Sequence, residues 1–346
     1  MSSTLLVDPL RPTSLDDFLG QTQVVKELRI ILNAANGRHE PAPHTLLSGP
    51  PGLGKTTLAA IIAAETGLDL VTITAAALDS PDALTKLLIS LPGPSVVFID
   101  EIHQLPRTVE ETLYSAMEDQ RIDVIIAAGK PHQRVIPIDV APFTLIGATT
   151  RTGSLGAPFR DRFGYIARLR PYDHDTLTRI VARNAGLLEM TLTQQAAGAI
   201  AARSRGTPRI ANRYLRRVRD YTHSPDSDDS IDARVAAAAL DAFGIDHCGL
   251  SETDRDLLNA LCVSYSGGPV GVSTLAAVIG ETPATVEEVN EPYLMQIGFL
   301  ARTPKGRVAT PAAFTHLNLP VPTHLTSVLP GQLELVDQQP AERHPH

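Results

Sequence analysis

The chain has 346 residues, more than one hydrophobic core usually supports, so two or three domains are expected. Its 43% hydrophobic and 20% charged residues are typical of globular proteins and exclude a disordered or fibrous chain. The net charge of −8 argues against a protein that coats nucleic acid generally, although a local basic surface would still permit DNA binding.

The sequence favours a cytoplasmic protein. Residues 1–12 lack a basic stretch followed by an apolar core, so no signal peptide is predicted, and no apolar run is long enough to span a membrane. Cys248 and Cys262 form neither a CxxC pair nor a disulfide framework, so buried thiols in a reducing compartment are expected. The eleven histidines contain no HExxH pattern, so no zinc site is predicted.

Short β-rich runs alternate with helical patterns in the first half of the chain. The predicted buried strands are His44–Ser48, Leu70–Ile73, Val96–Asp100 and Phe143–Gly147. Amphipathic segments such as Thr57–Thr66 and Asp82–Ser90 lie between them, which predicts an α/β domain with a parallel sheet covered by helices. Ile122–Ile126 and Arg134–Ile138 are expected to form a hairpin that projects from this sheet.

Strand patterns fade after Tyr172. Four helical patterns predict a small α bundle: Asp175–Ala185, Thr193–Ala202, Pro208–Asp220 and Asp232–Phe243. From near Gly249, three short helical patterns precede two β runs, Phe299–Thr303 and Gly306–Thr310, which is the element order of a winged helix. The predicted domains are 1–172, 173–246 and 247–320, followed by a flexible tail over 321–346.

A phosphate-binding loop follows the first predicted strand. Residues 49–56, GPPGLGKT, fit the pattern GxxxxGK[ST] and precede a helix. Glycines allow backbone N–H groups to face phosphate oxygens, and the helix N-terminus adds positive potential. Lys55 is expected to reach the β- and γ-phosphates of ATP, and the Thr56 hydroxyl to bind Mg²⁺.

Two carboxylates end the apolar strand Val96–Asp100, at the Walker B position. Asp100 is expected to hold the Mg²⁺ hydration shell, and Glu101 to polarise the attacking water as general base. Such a pair is often only a solvated turn, but its position 45 residues after Lys55 favours the catalytic interpretation. ATP hydrolysis is therefore predicted.

Three further polar residues suit phosphoryl transfer. Thr150, at the end of another strand, is predicted to orient the water. The run RDRFG offers an arginine, Arg160 or Arg162, to neutralise charge on the transferring phosphoryl group, although a surface ion pair between one of these arginines and Asp161 is the alternative. In the run GTPR, Pro208 predicts a helix start, which directs Arg209 towards the cleft between sheet and bundle.

The order of these motifs resembles the AAA+ family, and nearly the whole chain is similar to its RuvB branch. The matching stretches are Leu10–Pro12, Asp17–Gln21, Gly49–Thr57, Phe98–His103, Ala116–Asp119, Phe143–Arg151, Arg160–Gly164, Arg205–Asp220, Gly267–Gly271, Glu291–Leu294 and Gly298–Thr310. The last three are not shared by AAA+ proteins at large, so the resemblance is specific.

The resemblance implies roles for residues that no motif assigns. Leu10 and Arg11 would border the adenine, with Phe18 and Leu19 nearby and Tyr172 against the nucleotide. The nucleotide would also contact Gly52, Leu53, Gly54, Lys55, Thr56 and Thr57. Arg209 would act as the sensor of the same subunit. Arg162 would contact the ATP that is bound to the neighbouring subunit. The same junction between subunits would include Glu118, Asp119 and Gln120.

The resemblance also implies a homohexameric ring that drives branch migration of Holliday junctions in recombination, DNA repair and the SOS response. Its partners would be duplex DNA, RuvA, which docks on the hairpin, and the resolvase RuvC. This sequence departs from the family at the hairpin, where residues 130–133 (KPHQ) make the turn about one residue longer. Pro283 also stands where some relatives carry a basic residue.

The predicted winged helix places its positive charge on the wing. The helix Thr285–Gln296 contains Glu287, Glu288 and Glu291 and no basic residue, so base reading by this helix is not expected. Arg302, Lys305 and Arg307 are the predicted DNA contacts, through phosphates and without sequence preference. The alternative is a wing in a protein-interaction module.

Two rival functions remain open at this point. One is another AAA+ remodelling ATPase, of the clamp-loader or protein-unfolding type, which would share the nucleotide motifs. The other is a nucleotide-gated binding module that hydrolyses ATP too slowly to act as a motor.

Overall fold

The computed structural model describes residues 8–126, 134–222 and 230–326. The chain divides into two compact units, Met1–Ala239 and Leu240–His346. None of the helices in the described ranges is both long enough and apolar enough to cross a membrane.

The first unit is built on a parallel sheet, as predicted, but Leu70–Ile73, predicted to be a buried strand, lies in an edge strand that has no fully buried residue. Its strands are β1 (Thr45–Ser48), β2 (Asp69–Thr74), β3 (Ser95–Asp100), β6 (Phe143–Thr149) and β7 (Tyr165–Arg168). They lie in the order β2-β3-β6-β1-β7, and every neighbouring pair is parallel. The edge strand β7 was not predicted, because its alternation of exposed and buried residues is short and it follows a polar loop.

Helices cover the sheet and form the bundle that follows it. Their bounds are α1 (Thr22–Arg38), α2 (Lys55–Thr66), α3 (Pro81–Ile89), α4 (Arg107–Asp119), α5 (Ala157–Arg160), α6 (His174–Leu187), α7 (Gln194–Arg203), α8 (Pro208–Thr222) and α9 (Ala233–Ala242). The predicted helices of the sheet and the bundle are confirmed to within about two residues. Helices α1 and α4 were not predicted.

Burial explains why the central strands read as continuous apolar runs. Every residue of β1 and β6 is buried, and so are the first five residues of β3. Because these strands are covered on both faces, they lack the alternation of a half-exposed strand. Their carboxyl ends meet at one edge of the sheet, where Ser48 pairs with Thr149 and Ile99 with Gly147.

The predicted hairpin is confirmed in its strands. β4 (Arg121–Ile126) pairs antiparallel with β5 (Arg134–Asp139), and Ile122 lies opposite Ile138. The turn residues 127–133, which include the departure from the family pattern, lie outside the described residues.

The second unit has the predicted winged-helix order. Its helices are α10 (Glu252–Asn259), α11 (Val272–Ile279), α12 (Pro283–Thr285), α13 (Glu291–Gln296), α14 (Pro311–His316) and α15 (Thr323–Thr326), with π-helical turns at Ala260–Ser264 and Val286–Asn290. The wing is β8 (Leu300–Thr303) paired antiparallel with β9 (Gly306–Ala309). A capping box formed by Ser251 and Asp254 fixes the start of α10.

A half-buried histidine joins three elements of the first unit. His44 Nδ1 accepts a hydrogen bond from Leu145 N at 2.8 Å, so its proton is on Nε2, which faces Met117 O at 3.3 Å. Burial lowers the pKa of His44 below its usual 6.5, against a smaller opposing effect of Met117 O. Protonation would break the bond to Leu145, because Nδ1 would become a donor.

This pKa shift predicts a loss of stability in mild acid. Below about pH 6.5 the unfolded chain takes up a proton at this histidine, while the folded chain does not. The free energy of unfolding therefore decreases as the pH is lowered below about 6.5. Between pH 6.5 and 5.5, wild type should lose up to about 1 kcal/mol more than His44→Gln, measured by urea unfolding. An identical pH dependence in the two proteins would show that His44 is not held neutral.

Candidate nucleotide site and winged-helix surface

The phosphate-binding loop lies at the carboxyl edge of the sheet. It connects β1 to α2, and Gly49 N donates to Thr149 O on the neighbouring strand at 3.1 Å. Gly52 and Gly54 adopt φ angles of +80° and +105°, which side chains other than glycine rarely allow. A Cβ on Gly52 would lie 2.7 Å from Thr207 Cγ2, and one on Gly54 would lie 3.0 Å from Phe18 Cζ. Both glycines therefore permit a curved backbone and close packing against it.

Lys55 is held inside this loop. Its residue is only 7% exposed, and its Nζ donates to Gly49 O at 2.8 Å and to Pro50 O at 3.0 Å. Burial lowers the pKa of Lys55, the charges of Glu101 and Asp100 raise it, and that of Arg209 lowers it. The lysine thus lies in the field of both carboxylates that the sequence predicted to act with it.

Glu101 occupies a constrained position just beyond β3. It has a φ of +51°, an uncommon conformation for a residue with a side chain, and its N–H donates to Asp100 Oδ1 at 3.1 Å. Its Oε2 accepts from Thr150 Oγ1 at 3.0 Å and from Thr150 N at 3.4 Å. The structure therefore brings together Glu101 and the threonine that was predicted to act beside it.

His103 extends this cluster and was given no role from the sequence. Its Nδ1 lies 3.2 Å from Glu101 Oε2 and 3.0 Å from Thr149 Oγ1. The two adjacent threonines are thus divided between partners: Thr150 contacts Glu101, and buried Thr149 contacts His103. The sequence feature that could have indicated this contact is the position of His103 shortly after the two carboxylates.

The helical bundle contacts the loop from the other side. Arg209 N donates to Gly52 O at 3.4 Å, at the start of α8. Tyr172 N donates to Gly206 O at 2.9 Å, and its hydroxyl donates to Leu53 O at 3.2 Å. Burial raises the pKa of the Tyr172 hydroxyl well above its ordinary value, so the group stays a neutral donor.

One cleft of the first unit collects most of the predicted nucleotide-site residues. It is lined by Leu10, Arg11, Phe18, Leu19, Gly52, Leu53, Gly54, Lys55, Thr56, Thr57, Asp100, Glu101, Tyr172 and Arg209. Its lining is mixed, with the apolar side chains of Leu10, Phe18, Leu19 and Ile180 and the charged side chains of Lys55, Asp100, Glu101 and Arg209. The combination suits a ligand with an apolar ring at one end and an anionic group at the other.

Sequence reasoning missed another group of polar residues in this cleft. Asp8, Arg183, Asn184, Asn212 and Arg216 also line it. Asp8 Oδ1 accepts from Arg216 Nη2 at 2.7 Å, and Asn184 Nδ2 donates to Asn212 Oδ1 at 2.7 Å. These pairs join residues 208 and 28 positions apart, so no local motif could have revealed them.

Arg162 lies elsewhere in the first unit and does not line the cleft. Its side chain is 27% exposed, packs over the Tyr114 ring at 4.6 Å and pairs with Glu118 Oε1 at 3.2 Å. Its Nη1 donates to Pro158 O at 2.8 Å, while its buried Nε has no hydrogen-bond partner among the described residues. Arg162 is therefore beside Glu118, as expected, and not paired with Asp161.

The winged-helix unit carries a buried carboxylate that the sequence did not single out as a structural residue. The Glu291 side chain is fully buried. Its Oε2 lies 2.5 Å from Arg302 Nη2, and its Oε1 lies 2.7 Å from Arg307 Nε. Arg307 also reaches Glu287 Oε1 at 2.7 Å. Two of the predicted DNA contacts are thus ion-paired with helix carboxylates, and the charges of these two arginines and two glutamates sum to zero.

Lys305 differs from these two arginines. It is exposed in the turn between β8 and β9, next to Gly306, whose φ of +136° closes the turn. A Cβ on Gly306 would lie 2.5 Å from Val270 O, so the wing packs closely on the preceding segment. The helix carboxylates thus fix the wing through its arginines, and Lys305 remains directed towards solvent.

The ion pairs of Glu291 predict a large effect on stability. Glu291→Gln keeps the volume but removes the charge that faces Arg302 and Arg307, so the free energy of unfolding should fall by about 3 kcal/mol. Urea unfolding monitored by circular dichroism would measure it, with Glu281→Gln as the control because Glu281 is exposed. Equal stability of the two variants would mean that the wing does not depend on this carboxylate.

Comparisons with known proteins agree with this architecture. Three family models match consecutive parts of the chain: "Holliday junction DNA helicase RuvB P-loop domain" at residues 10–169, "RuvB AAA lid domain" at 172–246 and "RuvB C-terminal winged helix domain" at 247–318.

The matched relatives and solved structures carry the same name. A "Holliday junction branch migration complex subunit RuvB" of Mycobacterium sp. (strain KMS) is 51% identical over 328 residues, covering 95% of this chain and 91% of the relative. A protein of that name from Corynebacterium aurimucosum is 53% identical, covering 90% of this chain and 86% of the relative. The solved Thermotoga maritima RuvB Holliday junction branch migration motor is 46% identical with a TM-score of 0.81, covering 91% of this chain and 100% of that one. The chain belongs to the RuvB family of AAA+ proteins.

Proposed function

We propose that this protein hydrolyses ATP and uses the energy to drive branch migration of Holliday junctions. The observation that carries the proposal is the convergence of Lys55, Asp100 and Glu101 in one cleft of a RuvB-family chain that ends in a winged helix. Relatives at about half identity are named as subunits of the branch migration complex. The protein would act in the cytoplasm, in recombination and DNA repair, including the SOS response.

The nucleotide and its metal fit the residues present. Left-handed Gly52 and Gly54 curve the loop backbone where a side chain would clash, which leaves room for phosphates beside Lys55. Thr56 and Asp100 line the same cleft and offer the oxygen ligands that Mg²⁺ prefers. Leu10, Phe18, Leu19 and Tyr172 would enclose the adenine end, with Arg11 at its border.

Glu101 is the group that would act on water. ATP with Mg²⁺ supplies the transferable phosphoryl group. Thr150 holds the Glu101 carboxylate through its hydroxyl, so the general base keeps one orientation before the water arrives. Arg209, whose backbone contacts the loop at Gly52, would report the state of the phosphates to the helical bundle.

We place the boundaries of the three domains at residues 172 and 246, and that of the tail at 320.

The site would be completed by a neighbouring subunit. Arg162 is partly exposed, has an unpartnered buried Nε among the described residues, and lies outside the cleft of its own protomer. It would reach the ATP of the next subunit in a homohexameric ring, with Glu118, Asp119 and Gln120 at the same junction. The contact between Glu118 and Arg162 would hold the arginine ready at that surface.

The winged helix would hold duplex DNA through phosphates. Lys305 is exposed in the turn of the wing. Arg302, which is also exposed, and the more buried Arg307 would contact DNA by sharing or leaving their glutamate partners. Contacts to phosphates carry no sequence information, which suits a motor that moves along DNA of any sequence. RuvA would recruit the ring to the junction through the β4–β5 hairpin, and RuvC would act alongside it.

A junction assay tests the proposal. With ATP, Mg²⁺ and RuvA, wild type should separate the arms of a synthetic four-way junction, and DNA should stimulate its hydrolysis. Glu101→Gln should still bind ATP but hydrolyse it about 10²–10⁴-fold more slowly, because the general base is lost. Thr150→Val should fall between the two, since the carboxylate loses its orienting hydroxyl. Thr66→Val is the matched control, because its hydroxyl only bonds within the end of α2.

The rival functions give different results in the same assay. ATP hydrolysis that neither DNA nor RuvA stimulates, without separation of the arms, would contradict the motor and favour another AAA+ remodelling ATPase. Turnover that does not change in Glu101→Gln would contradict the assigned site.

A further inference from the structure

Three metal-binding side chains meet in the winged-helix unit, at a place that the proposed function does not use. His247 and Cys248 follow one another in the loop before α10, and His316 ends α14. One possible ligand atom from each residue, two imidazole nitrogens and the Cys248 sulphur, all lie within 4.8 Å of one another. Cys248 and His316 are 68 residues apart along the chain, so folding brings the cluster together.

A single carboxylate orients two of the three residues. Asp246 Oδ1 accepts from Cys248 N at 2.9 Å and from Leu250 N at 2.8 Å, which fixes the loop backbone. Asp246 Oδ2 lies 2.9 Å from His316 Nε2. A carboxylate holds the proton on the nitrogen that faces it, so Nδ1 of His316 keeps its lone pair. Metal-binding histidines commonly have such a carboxylate behind the ring.

Packing restricts the remaining freedom of the cluster. The His316 side chain is 7% exposed, and its ring lies between those of His247 and Phe299, with centroid distances of 5.1 and 4.9 Å. The Tyr293 hydroxyl donates to Cys248 O at 2.6 Å, which constrains the loop in addition to the hydrogen bonds of Asp246. His247 is exposed and is the residue free to adjust to a bound ion.

We propose that His247, Cys248 and His316 bind one zinc ion. One thiolate and two imidazoles are a ligand set that zinc accepts, and the fourth position would face solvent beside His247. Tetrahedral geometry with ordinary zinc bond lengths separates ligand atoms by about 3.5 Å, so atoms that lie within 4.8 Å of one another need to close by at most about 1.3 Å. Rotation of the exposed His247 and the half-buried Cys248 side chains supplies that movement.

Binding is coupled to release of a proton. The Cys248 thiol has to lose its proton, because the thiolate is the form that binds zinc. The metal bonds to the sulphur as the S–H bond breaks, and the proton passes to solvent. The ion would tie the loop before α10 to the end of α14, which stabilises the folded winged helix. The sequence did not predict the site, because adjacent ligands and one distant histidine match no spaced motif.

Cobalt titration of the full-length, EDTA-treated protein without nucleotide tests the site. Co²⁺ should produce a thiolate-to-cobalt charge-transfer absorption that saturates at one ion per chain, and Zn²⁺ should displace it. Cys248→Ser should abolish this absorption, while Cys262→Ala, the matched control at the other cysteine, should retain it. Asp246→Asn should weaken binding about 10–100-fold, since the orienting charge is lost while an oxygen acceptor remains.

The same titration can overturn the proposal. An absence of thiolate charge transfer, its persistence in Cys248→Ser, or its loss in Cys262→Ala would each show that this cluster does not bind the ion. Thermal unfolding gives a second readout that does not need the chromophore. Zn²⁺ should raise the Tm of wild type and of Cys262→Ala but not that of Cys248→Ser, and an equal rise in all three proteins would contradict the site.

Discussion

The burial of one lysine in the electrostatic field of two carboxylates is the constraint on which the cleft of the first unit depends. Lys55 is nearly buried, and Asp100 and Glu101 raise its pKa against the effect of burial. A cation is costly to bury without such partners. The parallel sheet supplies them, because the ends of β1, β3 and β6 meet at one edge. The covering helices and the glycine-rich loop then define a cleft around the three charges.

Orientation in this cleft comes from residues outside the charged trio. Thr150 and His103 contact the Glu101 carboxylate, and Tyr172 and Arg209 contact the loop from the helical bundle. The loop therefore lies between the carboxylates at the edge of the sheet and the helical bundle. The wing of the second unit is also oriented by a neighbouring residue, because Glu291 fixes two arginines that would otherwise be free to move.

Sequence alone predicted the parts of the molecule that depend on local chemistry. The strands, the loop at residues 49–56 and the carboxylates at 100 and 101 follow from burial and from the geometry of phosphate binding, so they are readable from short patterns. Edge strand β7 was missed because it is only four residues long, whereas edge strand β2, which has no fully buried residue, was predicted from its run of β-branched residues. The pairs of Asp8 with Arg216 and of Asn184 with Asn212 were missed because each joins segments that are distant in the sequence: the N-terminal segment with α8, and α6 with α8. The partners of Arg302 and Arg307 were missed for the same reason, since wing and helix are separate in the sequence.

A site shared between two subunits is the central claim, and mixing two inactive variants tests it most directly. Arg162→Ala lacks the cation given to the neighbour, whereas Glu101→Gln lacks the base of its own site. In rings assembled from equal amounts of both, roughly one quarter of the sites contain both groups if each interface joins unlike surfaces head to tail. We predict that ATP hydrolysis returns on mixing and is greatest near equal proportions. Full hydrolysis by Arg162→Ala alone, or no recovery at any proportion, would contradict the account.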